Sequence, residues 1–222
     1  MVVARTPKRA AATSAEPSPS RRKRGPRVGA PPGPRKRDLR LGELLDAAAA
    51  LIVEKGLGAT SIDDIAARAG VAKGTFYHYF ADRGAMLEAL RLRYTQRFGD
   101  AAVSAIAACP EGDWAARLDA WIAATIRQYF VTYPLHDAIF HEPAVCQRHE
   151  MSAEPIVMAL ANLLRDGAAA GVWSVSDAAQ TATFMFYGLH GALDEAILRG
   201  EDGEAIAPFV SNVLHAMVRH AP

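Results

Sequence analysis

The chain has 222 residues, half of them apolar and 22% charged, with a formal net charge of +1. Two cysteines, Cys109 and Cys146, exclude a disulfide-dense secreted scaffold and lack metal-finger spacing, and no apolar run approaches the roughly 18–20 residues that a spanning helix needs. The start carries charge without the apolar stretch of a secretory signal, and its Pro and Gly content argues against a transit peptide, so a soluble intracellular protein is expected.

The small net charge conceals a split. Residues 1–37 hold 11 Lys or Arg against the single acid Glu16, a balance of +10. Seven of the 13 prolines also lie there, with little apolar bulk. Such a segment cannot bury enough surface to offset its chain entropy and is expected to be a disordered basic arm. Residues 38–98 hold 8 basic and 8 acidic groups, whereas residues 99–222 hold 6 against 15, a balance of −9.

Order is expected from about Asp38. Leu44, Leu45, Ala48, Leu51 and Ile52 recur at helical spacing, and Gly56 and Gly58 end that helix. Ser61 opens a short helix over Ile62–Ala69, closed by Gly70, and a second runs from about Ala72 to Tyr79. Asp82 is the N-cap of a long helix through Met86, Leu87, Leu90, Tyr94 and Phe98. Asp113 caps a run with Trp114, Leu118, Trp121, Tyr129 and Tyr133 on one broad face. Pro134 and Pro143 are expected to break the next stretch into short pieces. Pro155 fits a first helical position leading into Ile156, Leu160 and Leu164. Ser176 or Asp177 caps an apolar helix over Ala178–Leu189. A last helix carries the stripe Ile206, Phe209, Val210, Val213, Leu214, Met217 and Val218. No period-two alternation marks a strand, so the fold is expected to be all-α.

The informative stretch is Ile62 to Phe80, IDDIAARAGVAKGTFYHYF. Two helices of about two turns cannot stand alone and must pack on a third. Ile65, Ala69, Val71, Phe76 and Tyr79 supply an inward face, with small Ala66 at the crossing and Gly70 at a turn that favours left-handed backbone. That core leaves Lys73, Gly74, Thr75, Tyr77 and His78 free. They offer a cation, a bare backbone, a hydroxyl, a phenol and an imidazole, which suit phosphates and base edges in a major groove. Thr60 and Ser61 stand at the start of the first short helix, where hydroxyls and N–H groups can hold a phosphate. Arg83 is a further backbone anchor.

These residues resemble the DNA-binding region of TetR-type transcriptional regulators. The resemblance runs from about Leu41 to Leu90 and rests on Thr60, Ile65, Ala66, Ala69, Gly70, Val71, Gly74, Thr75, Phe76, Tyr77, Tyr79, Phe80, Arg83 and Leu87. The family commonly has lysine where Arg83 stands. The resemblance implies a three-helix DNA-binding domain over 38–82, joined to a helical-bundle domain over 83–222 that binds a small effector and forms a homodimer. Two-fold symmetry would then match a palindromic operator on double-stranded DNA. The function it implies is a ligand-responsive regulator, a repressor by preference. The arm then has three possible roles: contacting DNA, chiefly through Arg35, Lys36 and Arg37, binding anionic lipid, or none beyond solvation. A nonspecific or architectural DNA-binding protein driven by the arm is the alternative function.

The acidic C-terminal half would repel a phosphate backbone and must do something else. Trp121, Thr125, Tyr129, His136, Phe140, His141, Asn162, Phe184, Tyr187 and His190 are aromatic or polar groups in apolar helices. They are candidates for lining a pocket for an apolar or aromatic effector with one or two polar anchors. Gly188 and Gly191, with the stripe Phe209, Val213 and Met217, are candidates for a dimer seam. His141, Glu142, Cys146, His149 and Glu150 are metal-ligand types, but Pro143 interrupts their phase and no known spacing matches, so no metal is assigned. No cofactor is expected, and no nucleophile elbow, P-loop, dinucleotide fingerprint or HExxH pair suggests an enzyme.

Overall fold

Leu44, Leu45, Ala48 and Ile52 bury one face of α1 (Lys36–Lys55) and so fix the helix that the next two lean on. The computed structural model describes residues 36–140 and 153–218, which form eight α-helices and, among the described residues, no strand. The chain is all-α, as its periodicity demands. Helix α1 begins at Lys36, two residues before the expected onset, so Lys36 and Arg37 belong to its first turn; Arg35 and the rest of the arm lie outside the described residues.

The short helices α2 (Ile62–Arg68) and α3 (Lys73–Tyr79) bury Ile65, Ala66 and Phe76, and Ile65 and Phe76 share one core with the buried face of α1. Gly70 sits between them at φ +66°, a conformation that a Cβ would strain. Val71 N–H closes the turn onto the Ala66 carbonyl at 2.9 Å. Phe76 is fully buried, so truncation to alanine would cost about 3–5 kcal/mol, which two helices of this length cannot absorb.

Helix α4 (Arg83–Ala107) is capped by Asp82, whose carboxylate accepts the Ala85 N–H at 2.8 Å. It extends well past Phe98 and serves two cores. Met86, Leu87 and Leu90 pack with α1, α2 and α3, whereas Phe98 and Ala102 pack in the second core.

Helix α5 (Trp114–Phe140) overturns one expectation, because it runs unbroken through Pro134. That proline is exposed, while Tyr129, His136 and Ile139 around it are buried. One-sided burial therefore holds the helix across a missing N–H. Its last residues, including Ile139, join the first core.

Helix α6 (Pro155–Ala169) starts on Pro155, and α7 (Ala178–Leu198) is capped by Asp177 rather than Ser176. The last helix, α8 (Gly203–Val218), buries Val210, Leu214 and Val218. With α5 they enclose the second core around Leu118, Trp121, Leu160, Leu164 and Leu189. No described helix is long and apolar enough to cross a membrane.

Candidate functional site

The start of α2 is fastened by local chemistry. Ser61 Oγ accepts the Asp64 N–H at 3.1 Å, and the Asp64 carboxylate accepts the Ser61 N–H at 3.0 Å, a closed capping box. Lys55 Nζ lies 2.7 Å from the same carboxylate. The Lys55 and Ser61 hydrogen bonds hold Asp64 well below the ordinary carboxylate range.

With its hydrophobic side turned inward, α3 presents Lys73, Gly74, Tyr77 and His78 to solvent, with Thr75 half-buried beside them. A Cβ on Gly74 would meet nothing within 4 Å, so a partner's backbone can approach there closely. Tyr77 rests edge-on against Phe76 at 5.6 Å and His78 against Tyr79 at 5.3 Å. Lys73 Nζ is 2.9 Å from Asp63 Oδ1, and that hydrogen bond raises the Lys73 pKa.

An open groove of about 830 Å³ separates α3 from the first turns of α1. Arg37, Leu39, Arg40 and Glu43 line one wall, and Gly74, Thr75, His78 and Tyr79 the other. Arg40 was not among the residues singled out in the sequence. Its signal was the i,i+3 spacing to Arg37, which acquires meaning once α1 is known to start at Lys36.

Three expected phosphate anchors are occupied internally. Thr60 is buried, and its hydroxyl donates to the Gly56 carbonyl at 2.8 Å. The Ser61 hydroxyl closes the capping box. The Arg83 guanidinium donates to the Leu57 carbonyl, tying the α1–α2 loop to the start of α4. In each case the group satisfies a neighbouring main-chain or capping partner, and the Arg83 guanidinium keeps further N–H donors beyond that bond.

The expected pocket residues divide. Trp121 and Thr125 are sealed in the second core, where the indole N–H donates to the Ile156 carbonyl at 3.2 Å and the Thr125 hydroxyl to the Trp121 carbonyl at 2.7 Å. Asn162, Phe184 and Tyr187 face outward; Phe184 is 70% exposed, so it does not line an interior site of this chain. His141 lies outside the described residues, as do Glu142, Cys146, His149 and Glu150.

The remainder converge between α4, α5 and α7. Tyr129 Oη donates to the Asp194 carboxylate, His190 Nδ1 lies 3.3 Å from the same group, and His190 Nε2 is 3.2 Å from His136 Nε2. The His136 ring packs against Phe140 and Tyr94. Burial pushes the Tyr94 phenol up to about 12, and burial together with the Asp194 hydrogen bond and charge raises Tyr129 further. A polar chain lodged among rings is a suitable anchor for an aromatic or apolar molecule with one polar group. Sequence reading missed Asp194 and Tyr94, although Asp194 follows His190 by one helical turn.

The outer face of α7 holds Phe184, Tyr187, Gly188 and Gly191 at helical spacing. A Cβ on either glycine would meet nothing within 4 Å in this chain. Phe209 and Val213 on α8 are exposed and Met217 is partly buried.

A short helix pair across a glycine turn, presenting a polar outer face and joined by α4 to a helical bundle, is the arrangement of a helix-turn-helix DNA-binding domain with an appended bundle. The profile of bacterial regulatory proteins of the tetR family matches residues 44–90. The HTH-type transcriptional regulator BetI of Escherichia coli O45:K1 is 27% identical over 194 residues, covering 83% of this chain and 95% of the relative. The fatty acid degradation regulator FadR from Bacillus halodurans superposes with a TM-score of 0.65 at 23% identity, over 84% of this chain and all of that one. FadR from Bacillus subtilis, solved in complex with stearoyl-CoA, gives 0.62 at 20% identity, over 78% and 96%. Residues 44–90 thus carry the tetR-family DNA-binding region, and most of the chain is similar in sequence and fold to regulators of that type.

Proposed function

We propose that this chain is a dimeric, ligand-responsive repressor that leaves a palindromic operator when a small apolar or aromatic effector binds its C-terminal bundle. Residues 38–82 would read DNA and residues 83–222 would bind effector and partner. The observation that carries this reading is the division of α3: Phe76 is fully buried while Lys73, Gly74, Tyr77 and His78 face outward. With Thr75, Arg37 and Arg40 around the groove, these residues suit phosphates and base edges. Lys36 sits in the same first turn of α1 and Arg35 precedes it.

The outward apolar face of α7 and α8 supports a two-fold seam through Phe184, Tyr187, Gly188, Gly191, Phe209, Val213 and Met217. The Tyr129–Asp194–His190–His136 chain supports an effector site, and the stearoyl-CoA held by the Bacillus subtilis relative supports a largely apolar ligand. Coupling follows from shared helices. His136 lies one turn before Ile139 and Phe140, whose helix end packs on the first core, and α4 contributes to both cores. A ligand that favours one placement of these helices changes the spacing of the two heads, which typically alters operator affinity about 5- to 150-fold.

Mobility-shift measurements on DNA flanking the chain's own gene, followed by genome-wide binding, test this reading. A preferred site released by a small molecule supports it. Equal affinity for all DNA supports instead a nonspecific protein driven by the basic arm.

A further inference from the structure

The reading head is neutral by count, and most of its cations also lie against its own acids. Lys55 lies 2.7 Å from Asp64, Arg68 2.5 Å from Glu54 and Arg93 2.8 Å from Asp46. The pattern reaches the recognition helix itself. Lys73 is the one Lys or Arg in α3, and Asp63 reaches it from the first turn of α2, across the Gly70 turn. Both side chains are more than half exposed, so the pair sits on the surface proposed to face DNA.

We propose that Asp63 is a positioning residue that sets specificity: it holds Lys73 in place and cancels its charge toward DNA of the wrong sequence. This role rests on α3 being the recognition helix. An exposed ion pair adds little to stability, so its effect must be sought in binding. Nonspecific affinity is an electrostatic sum over phosphates, and a lysine paired with a carboxylate adds almost nothing to it.

At the operator the requirement differs. Base contacts seat α3, and the Lys73 ammonium must meet a fixed acceptor. It has three donors, so one can stay on Asp63 while another reaches a phosphate or base edge. A lysine already held at 2.9 Å loses less rotamer freedom on making that contact. Removal of the carboxylate therefore has two opposed effects at the operator, looser positioning and stronger attraction. On nonspecific DNA only the attraction remains.

The test uses the full-length protein, a duplex selected from a random library and a scrambled duplex of equal length. Asp63→Asn is expected to raise scrambled-duplex affinity roughly three- to tenfold at low salt, and to steepen its salt dependence by about 0.9, one phosphate's worth. Affinity for the selected duplex is expected to change less than twofold, so the ratio falls. Asp63→Glu should restore the ratio, and in a Lys73→Met background Asp63→Asn should have no effect on the scrambled duplex. Equal gains on both duplexes, or no change on either with unaltered thermal unfolding, would overturn the role of Asp63. A wild-type protein that prefers no duplex would overturn the DNA-reading proposal itself, and this role with it.

Discussion

Arg91 on α4 donates from Nε to the main-chain carbonyl of Ile139 on α5 at 2.6 Å. Its guanidinium also lies over the Phe140 ring, 5.9 Å from the centroid, and pairs with Glu88 at 2.6 Å. One side chain thus clamps the end of α5 to the helix that carries the reading head. Arg91→Ala should lower stability by about 1–3 kcal/mol, because a buried carbonyl loses a charged donor. It should also weaken effector-driven release of DNA. Denaturant unfolding reads the first effect, and operator affinity with and without effector reads the second. An Arg91→Ala protein with unchanged stability and full release would show that the clamp is idle.

The outward face of α7 and α8 carries the dimer expectation. Phe184 and Phe209 are 70% and 60% exposed in the single chain. Burial of such a side chain against a partner is worth about 1.5–3 kcal/mol. Phe184→Glu together with Phe209→Glu should convert the dimer to monomer in sedimentation equilibrium, while helical content stays unchanged. A dimer that persists would place the interface elsewhere.

Much of the reading head was legible in the sequence because its determinants are local. The Ser61 cap, the Gly70 turn and the inward Phe76 each follow from a few consecutive residues. Long-range features were not. The single Thr60 hydroxyl donates to the Gly56 carbonyl and one Arg83 N–H to the Leu57 carbonyl, and no spacing reveals either bond. Phe184 and Tyr187 read as pocket residues because an aromatic in an apolar helix looks the same whether it faces a core or a partner. Pro134 looked like a break because the burial that holds α5 together comes from distant helices. Arg40 falls within the expected first helix, but only the placement of α3 across the groove shows that it faces Thr75 and His78.

Acid should affect the head through Asp64. Its folded-state pKa is depressed, so the stabilisation is complete above the ordinary value of 3.8 and is lost as pH falls below it toward the folded value. Thermal unfolding of the wild type should therefore weaken with acidification below about pH 4. Asp64→Asn should lose part of that dependence while remaining less stable than wild type near neutrality. Identical acid profiles for the two proteins would contradict the assignment.

The basic arm should contribute attraction at long range, since residues 38–98 carry no net charge. Deletion of residues 1–34 should weaken DNA binding and flatten the plot of log affinity against log salt by about 0.9 for each phosphate that the arm had neutralised. An unchanged slope would assign the arm no part in binding.

The central claim is that the outer face of α3 reads sequence. The most direct measurement is the ratio of affinities for a selected operator and a scrambled duplex at one salt concentration, before and after Tyr77→Ala. The account predicts a wild-type ratio on the order of 10³ or more. It predicts that Tyr77→Ala lowers this ratio by about tenfold while leaving the scrambled duplex nearly unaffected. A wild-type ratio near one, or a ratio indifferent to Tyr77, would contradict it.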